Sequence, residues 1–113
     1  DSIHNRCLIL IDGFYEYQWL DLKGKSKQKY LMTAQDNEPF ALGGLWNTWT
    51  DRSTSEVLDT FTIITLPANN QMAIIHNSKK RMPLIINKND ERDWLNGSIK
   101  IETVDFYLNT EKI

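Results

Sequence analysis

The sequence predicts an α+β fold, in which a mostly antiparallel or mixed β-sheet curls toward a barrel and carries short helices. Apolar and β-branched residues form several short runs, many of them bounded by Gly, Pro, Asn or Asp. Only two segments have helical spacing, and they do not alternate regularly with strands as βαβ units require. Four Trp, four Tyr and four Phe give a chain of 113 residues a large aromatic contribution to its core.

The first half of the chain contains four predicted strands. The first reads CLILI, a continuous apolar run that predicts a strand covered on both faces, with Cys7 buried and unreactive. The second reads FYEYQW, and a lysine-rich turn centred on Gly24 follows it. Gly43 and Gly44 interrupt the fourth strand, which indicates a bulge or a close approach of another backbone. The predicted strands cover 7–11, 14–19, 29–34 and 40–49.

The second half begins with the strongest strand pattern in the chain, TFTIITL at 60–66, which is rich in β-branched residues. Pro67 is expected to open a short helix that runs to Ile75 and turns Met72 and Ile75 to one face. A strand at 83–86 follows. Asn87 is predicted to cap a second helix that ends at Gly97, before a final strand at 99–104.

The composition excludes several classes of protein. Hydrophobic residues make up 41% and charged residues 25%, which excludes a wholly disordered chain, a collagen-like chain and a coiled coil. No apolar run approaches the roughly 20 residues that a membrane-spanning helix needs, so we expect no membrane partner and a cytoplasmic location. The single cysteine, Cys7, excludes an internal disulfide and a cysteine-based zinc site.

The sequence lacks the common motifs that bind metals and nucleotides. The chain has no glycine-rich phosphate loop, no HExxH and no GxSxG, so the sequence predicts no metal site and no cofactor. The formal net charge of −2 argues against a protein that coats nucleic acid non-specifically, although a small basic site remains compatible with it.

Glu16 is the first candidate for chemistry, because Tyr15, Tyr17 and Trp19 crowd its strand. It is either a solvent-facing glutamate on an alternating strand or a desolvated acid suited to proton transfer.

His76 is the second candidate, since it stands where a helix meets a polar loop. It is either a helix cap, favoured by the helix dipole, or an acid/base residue. The basic run Lys79, Lys80 and Arg81 beside it is either a solvated loop or a phosphate contact. Lysines 23, 25, 27 and 29 are either a solvated hairpin tip or a weak nucleic-acid contact.

Two segments together resemble the SOS response-associated peptidase (SRAP) family. RCLILIDGFYEY, from Arg6 to Tyr17, is similar to the family's RCLxPADGFYEW-type segment, whose glutamate corresponds to Glu16. TLPANNQMAIIHNSKKRMPLII is similar to the family's TxxAN followed by IHxRMP and an apolar strand. His76, Arg81, Met82 and Pro83 occupy positions of the second motif. The match fades beyond Trp94.

The resemblance implies a role in DNA repair. Members of the family recognise abasic sites in single-stranded DNA and attach to them covalently through an N-terminal cysteine, whose amine and thiol capture the sugar aldehyde as a thiazolidine. It further implies that Glu16 and His76 assist the proton transfers, as a pair that faces one concave pocket. Lys79, Lys80 and Arg81 are then expected to contact DNA.

The sequence departs from the family pattern at its start. Asp1 stands at the first position, and the family's Asn-Ala-Arg motif upstream of RCL has no counterpart here. We therefore interpret residues 1–113 as the C-terminal portion of a single SRAP-like domain, with the acid/base pair but without the nucleophile. The alternatives are a single-stranded DNA-binding module without catalysis and a structural domain in which Glu16 and His76 are inert.

Overall fold

The computed structural model describes residues 5–99, 101 and 106–113 of the chain. Within this part, nine β-strands surround two short α-helices, and a 3-10 turn at Lys88–Asp90 precedes the second helix. The elements are β1 (Arg6–Ile11), β2 (Phe14–Trp19), β3 (Lys27–Ala34), β4 (Phe40–Thr50), β5 (Val57–Ile63), β6 (Thr65–Pro67), α1 (Asn70–Ile75), β7 (Arg81–Pro83), β8 (Ile85–Ile86), α2 (Glu91–Leu95) and β9 (Leu108–Lys112).

The described strands form three antiparallel sheets. The first has the order β1-β4-β5 with β8 also paired to β4, the second is β2-β3-β9, and the third is the short pair β6-β7. The α+β class and the antiparallel pairing are confirmed. The expected curl toward a barrel is wrong, because the hydrogen-bond ladders of the described strands end at sheet edges and do not join.

The chain passes from the first sheet to the second at Asp12–Gly13, between β1 and β2. Gly13 is required there, because a Cβ atom at this position would lie 2.7 Å from the carbonyl oxygen of Met32. This crossing explains why two neighbouring apolar segments contribute to different sheets, which their composition alone does not reveal.

The first half of β4 is buried on both faces, from Phe40 to Gly44. Its alternating side chains point to opposite sides, so Phe40 and Leu42 enter the main core while Ala41 enters a second, smaller core. The main core contains Met32, Ala34, Phe40, Leu42, Met72, Met82, Ile85 and Leu108. The second core contains Ala41, Leu84, Ile86 and Trp94.

Gly43 and Gly44 mark close approaches within a continuous strand, so the expected interruption of β4 does not occur. A Cβ at Gly43 would lie 2.8 Å from a methyl group of Leu84, and one at Gly44 would lie 2.5 Å from a methyl group of Ile9. Both glycines thus let neighbouring side chains pack directly on the β4 backbone.

The predicted strand at 60–66 exists, but it begins at Val57 and divides at Ile64 into β5 and β6. The backbone of Ile64 explains the division, since its N–H donates to Gly43 O at 3.0 Å and its C=O accepts from Leu84 at 2.8 Å. All seven residues of β5 are exposed, and the facing half of β4 is exposed with them. The strong β-propensity of the β5 sequence therefore indicates an extended backbone and does not indicate burial.

Both helices lie where the sequence predicts them, but the residues that cap their N-termini differ from the prediction. Pro67 ends β6 and does not open a helix; instead the side chain of Asn69 caps α1 by accepting the N–H of Met72 at 2.9 Å. Met72 and Ile75 are buried as expected. Asn87 is the N-cap residue of the 3-10 turn. Within the described part of the chain, its side chain makes no capping hydrogen bond.

The end of the chain differs from the prediction. The strand expected at 99–104 falls largely outside the described residues, while β9 was not anticipated from the sequence. Among the described residues, no helix is long and apolar enough to cross a bilayer.

Cys7 is half-buried, and the expectation of a strand covered on both faces is wrong for β1. The strand pairs with β4 along one edge of the described sheet, and the side chain of Leu10 is 68% exposed. Partial burial still raises the pKa of the Cys7 thiol through desolvation.

Replacing Gly44 with alanine tests the close contact between β1 and β4. The new methyl group would also lie 2.7 Å from the carbonyl oxygen of Thr62, which cannot move without disturbing β5. We expect Gly44→Ala to lower the free energy of unfolding by roughly 1–3 kcal/mol, measured by urea denaturation. Thr50→Ala, at the exposed end of the same strand, is the control and is expected to stay within about 0.5 kcal/mol of the parent.

The raised pKa of Cys7 predicts how its labelling by a maleimide depends on pH. Because the thiolate is the reactive form, the labelling rate of the folded chain should rise at a higher pH than that of the urea-unfolded chain. Near pH 7 the folded chain should also react more slowly. Coincident pH profiles for the folded and unfolded chains would show that burial has no effect on this thiol.

Candidate active site

Glu16 and His76 come together at the junction of β2 and α1. β2 supplies Glu16, whose neighbours Tyr15 and Tyr17 point to the opposite face of the strand. His76 is the C-terminal cap of α1. Glu16 Oε1 lies 3.9 Å from His76 Nε2, so the proximity predicted from the two motifs is found.

The carboxylate of Glu16 fits neither of its two expected environments fully. Its side chain is 20% exposed, and that of His76 is 22% exposed. Glu16 is therefore turned toward the helix and partly sheltered, yet water still reaches it. One of its oxygens also accepts the backbone N–H of Tyr17 at 3.2 Å, which limits the rotation of the carboxylate.

A hydrogen bond fixes the orientation of the His76 ring. The backbone N–H of Arg81 donates to His76 Nδ1 at 2.8 Å. Nδ1 is thus an acceptor, and the proton of the neutral imidazole lies on Nε2, the atom nearest Glu16. His76 therefore presents an N–H donor to the space in front of the carboxylate.

The four polar residues at 77–80, where the family motif IHxRMP has one residue, form a closed loop that makes this hydrogen bond possible. The N–H of Lys80 donates to the carbonyl of His76 at 2.8 Å, and the carbonyl of Lys80 accepts from Ala68 at 2.9 Å. Lys80 adopts a positive φ of 53°, which turns the next N–H, that of Arg81, back toward the ring. The extra residues between His76 and Arg81 are therefore compatible with the site.

The three predicted basic residues have different environments. The side chains of Lys79 and Lys80 are exposed on the loop. The guanidinium of Arg81 is held against β6, where Nη2 donates to the carbonyl of Thr65 at 2.7 Å and to its hydroxyl at 3.2 Å. These bonds orient Arg81 and leave the other guanidinium nitrogens available for a further acceptor beyond those described.

Asn77 and Gln18 position the site, and the sequence did not single them out. Asn77 Oδ1 accepts the backbone N–H of Trp19 at 2.9 Å, while Asn77 Nδ2 donates to the carbonyl of Trp19 at 2.8 Å. Gln18 donates to the carbonyl of Ile74 at 3.0 Å and accepts from the Tyr30 hydroxyl at 3.2 Å. These bonds tie the end of β2 to the end of α1 and so fix the separation of Glu16 and His76.

The arrangement can hold a polar group between an acceptor and a donor. A gap of 3.9 Å is too long for a direct hydrogen bond, but an oxygen or nitrogen beside the line joining the two atoms can lie about 2.8 Å from both. Such a group could accept a hydrogen bond from the Nε2–H of His76 and exchange a proton with the carboxylate of Glu16.

Three cavities lie away from this pair. Cavities of about 360, 490 and 750 Å³ are lined by residues other than Glu16 and His76. The described residues contain no cluster of three or more His, Cys, Asp or Glu side chains that could hold a metal ion.

The sequence profile described as SOS response associated peptidase (SRAP) matches residues 2–110. The chain belongs to the SRAP family. The match includes β2, α1 and the loop that connects His76 to Arg81, so every residue of the candidate site lies within it.

Curated relatives carry names that refer to abasic sites. The abasic site processing protein YoqW of Bacillus subtilis (strain 168) is 36% identical over 94 residues, which cover 83% of this chain and 39% of that protein. The abasic site processing protein HMCES of Gallus gallus is 29% identical over 109 residues, covering 80% of this chain and 31% of that protein. The SRAP chain described here thus spans about two-fifths or less of the length of these relatives.

Solved structures share the fold. A crystal structure of a protein from Bacteroides thetaiotaomicron superposes with a TM-score of 0.78 at 32% identity, over 88% of this chain and 41% of that one. A crystal structure from Bordetella bronchiseptica superposes with a TM-score of 0.80 over 99% of this chain and 56% of that one. At 21% identity, the second likeness concerns the fold alone.

Replacing Asn77 tests its role in holding β2 against α1. Asn77→Ala removes both hydrogen bonds to Trp19, so we expect the free energy of unfolding to fall by about 1–2 kcal/mol and the Trp19 amide to exchange faster with solvent. Asn77→Asp keeps an acceptor but loses the donor, and should fall between the parent and Asn77→Ala.

Urea denaturation and amide hydrogen exchange measure these effects. Ser78→Ala, at the next exposed position of the loop, is the matched control and should leave both quantities unchanged. Equal exchange of the Trp19 amide in Asn77→Ala and the parent would mean that the two hydrogen bonds do not hold the strand.

Proposed function

We propose that this chain carries the acid/base pair of an SRAP domain that processes abasic sites in single-stranded DNA. The observation that carries the proposal is the 3.9 Å approach of Glu16 Oε1 to His76 Nε2, with the ring held by Arg81. The names of the relatives, abasic site processing proteins, support the same substrate. The site is open at the surface, which a substrate as large as a DNA strand requires.

The proposed chemistry follows from what each group can exchange. Attack of an amine on the aldehyde of an opened abasic sugar requires a base that removes a proton from nitrogen and an acid that protonates the departing hydroxyl. In our proposal the Glu16 carboxylate removes the proton from nitrogen and then returns it to the departing hydroxyl, while the Nε2–H of His76 donates a hydrogen bond to that oxygen. The hydrogen bond from Arg81 keeps His76 in the tautomer that can donate from that position.

The nucleophile belongs to a different residue. The family resemblance implies a cysteine whose free amine and thiol close a thiazolidine ring on the aldehyde, and such a ring needs both groups on adjacent carbons. Cys7 has a thiol, but its nitrogen is an amide within β1, and the pKa of its thiol is raised by burial. We therefore propose that Cys7 takes no part in the covalent step.

Contact with the DNA backbone is assigned to the loop beside His76. Lys79 and Lys80 are exposed there, and Arg81 is oriented by Thr65 at the base of the loop. Lysine and arginine at such positions attract phosphates, and the guanidinium can bind them through two hydrogen bonds.

We also propose that residues 1–113 represent the C-terminal portion of the SRAP domain.

A chimera with the Bacillus relative tests the proposal. This chain would replace the segment of YoqW that it matches, and the chimera would be incubated with an abasic oligonucleotide and analysed by denaturing electrophoresis. We expect a crosslinked band, and we expect Glu16→Gln or His76→Asn to slow its formation by about 10²–10⁴-fold. The His76→Asn variant retains an acceptor for the Arg81 N–H, so a loss of rate reports the loss of the Nε2–H donor and not a broken loop.

Controls separate chemistry from folding. Glu56→Gln, an exposed glutamate beyond the tip of β4, should crosslink at the rate of the unsubstituted chimera. The unfused 113-residue chain should give no band that survives denaturation without added reductant, because it lacks the amine–thiol pair. A chimera that unfolds cooperatively but never crosslinks, or crosslinks equally fast with both substitutions, would contradict the proposal.

A further inference from the structure

We propose that Gln71 is a positioning residue for the reaction, and that the C-terminal strand β9 acts on the candidate active site through it. Gln71 lies in the first turn of α1, whereas His76 is the residue that caps the end of the helix. The proposal rests on the proposed function for the reaction that is affected. It goes beyond that function because β9 lies outside both motifs that point to the family.

Gln71 binds the backbone of β9 with both ends of its side-chain amide. Its Nε2 donates to the carbonyl of Leu108 at 2.6 Å, and its Oε1 accepts the N–H of Leu108 at 2.9 Å. Exchanging the two ends of the amide would set donor against donor, so the pair fixes the rotation of the side chain as well as its distance. Gln71 is half-buried and Leu108 is buried, so breaking this pair would leave polar groups unpaired away from water.

A second amide and the main core join the start of α1 to the same segment of the chain. Nδ2 of Asn69, the N-cap residue of α1, donates to the carbonyl of Phe106 at 3.1 Å, shortly before β9 begins. Met72 of α1 and Leu108 of β9 both belong to the main core. The start of α1 is therefore held to the C-terminal segment by hydrogen bonds and by packing.

The end of α1 is tied to a different strand of the same sheet. The order of this sheet is β2-β3-β9, so β2 and β9 lie on either side of β3. Gln18 and Asn77 join the end of α1 to β2. The step from Gln71 to Asn77 advances roughly 9 Å at the helical rise, close to the roughly 9.6 Å between two strands that flank a third. α1 therefore spans the sheet from β9 to β2, and its direction depends on the attachment at both ends.

A small change in the direction of α1 is enough to disturb the site. His76 lies roughly 7.5 Å along the helix from Gln71, so a tilt of about 8° shifts the two residues by about 1 Å relative to each other. A group between Glu16 and His76 must approach both side chains across a gap of 3.9 Å, which leaves little room for such a shift. The bonds made by Gln18 and Asn77 are exposed, so they resist a tilt less than the partly buried pair at Gln71.

A purely structural role for Gln71 is the competing interpretation. Gln71 would then only hold β9 in place, as Asn109 does from within the sheet, where its Nδ2 donates to the carbonyl of Ala34 at 3.0 Å. Both side chains bind β9 to the rest of the protein, but the hydrogen bonds described for Asn109 go to the β3–β4 region and not to α1. Asn109→Ala is therefore the matched control for substitutions of Gln71.

Single-turnover crosslinking by the YoqW chimera, at increasing concentrations of the abasic oligonucleotide, tests the proposal. Gln71→Met keeps the length of the side chain but makes neither hydrogen bond to Leu108. We expect its maximal rate to fall by about ten- to hundred-fold, because a displacement of about 1 Å has effects of that order. The oligonucleotide concentration at half the maximal rate should not change, since Gln71 lies outside the loop to which DNA contact is assigned. Asn109→Ala should retain both values.

Hydrogen exchange in the unfused chain gives a readout that does not depend on the reaction. The amides of Trp19 and Arg81 donate to side chains at the end of α1. In Gln71→Met both amides should exchange faster relative to the buried amides of β4, which report global unfolding. In Asn109→Ala the same ratio should equal that of the parent. If Gln71→Met does not unfold cooperatively in urea, Gln71→Glu, which retains the acceptor for the Leu108 N–H, takes its place in both measurements.

The outcomes separate this proposal from the proposed function. A fall in the maximal rate for Gln71→Met, with none for Asn109→Ala, supports the proposal. Effects of similar size in the two variants, no effect in either, or a change confined to the half-saturating concentration would overturn it. If the parent chimera never crosslinks, the proposed function fails and the exchange of the two amides decides. Faster exchange in Gln71→Met then supports the proposal, and exchange equal to that of the parent overturns it.

Discussion

The close packing of side chains against the backbone of β4 is the constraint on which both cores depend. Five consecutive buried residues there leave no face of the strand free, so the main core and the second core are built against opposite sides of one backbone. Ile9 approaches on one side and Leu84 on the other, at distances that only glycine permits. β8 and the turn at Ile64 bond to the same strand, and together they set where β6, β7 and α1 begin.

The candidate site depends on the packing around β4 only indirectly. α1 is anchored by Met72 and Ile75, which are buried, and its end carries His76. β2 belongs to the other sheet and carries Glu16. The two elements are joined mainly by side chains that bond to backbone atoms, those of Asn77 and Gln18. The geometry of the acid/base pair therefore depends on a few hydrogen bonds near solvent, while the elements themselves are held by packing.

The sequence predicted most strands and both helices because short apolar runs bounded by Gly, Pro and Asn have few other conformations. It paired Glu16 with His76 through two motifs and not through periodicity, since nothing in the local pattern shows that β2 reaches α1. The barrel was wrongly expected because closure depends on how sheet edges meet, which strand composition does not encode. The role of Asn77 was missed for a related reason. Its partner is the backbone of Trp19, and because every residue has the same backbone groups, the sequence does not show which of them a side chain will bind.

Burial was the least predictable property. CLILI has the composition of a strand covered on both faces, yet β1 is half-exposed, and β5, which contains the first half of TFTIITL, is exposed throughout. Apolar composition indicates that a surface is suited to burial, but the coverage depends on which elements pack there. Conversely, Gly43 and Gly44 look like points of weakness in sequence and are buried in the most tightly packed strand.

All three methionines of the chain lie in the main core, and Met32 and Met72 have no exposed surface. Peroxide can therefore reach their sulfur atoms only when the core opens, which makes the yield of methionine sulfoxide a record of how often this chain unfolds. A sulfoxide formed in that way is polar, so its burial beside Phe40, Leu42 and Ile85 would destabilise the main core. Each oxidation event would hinder the return to the folded state, so oxidative damage in this protein is expected to accelerate itself once it begins.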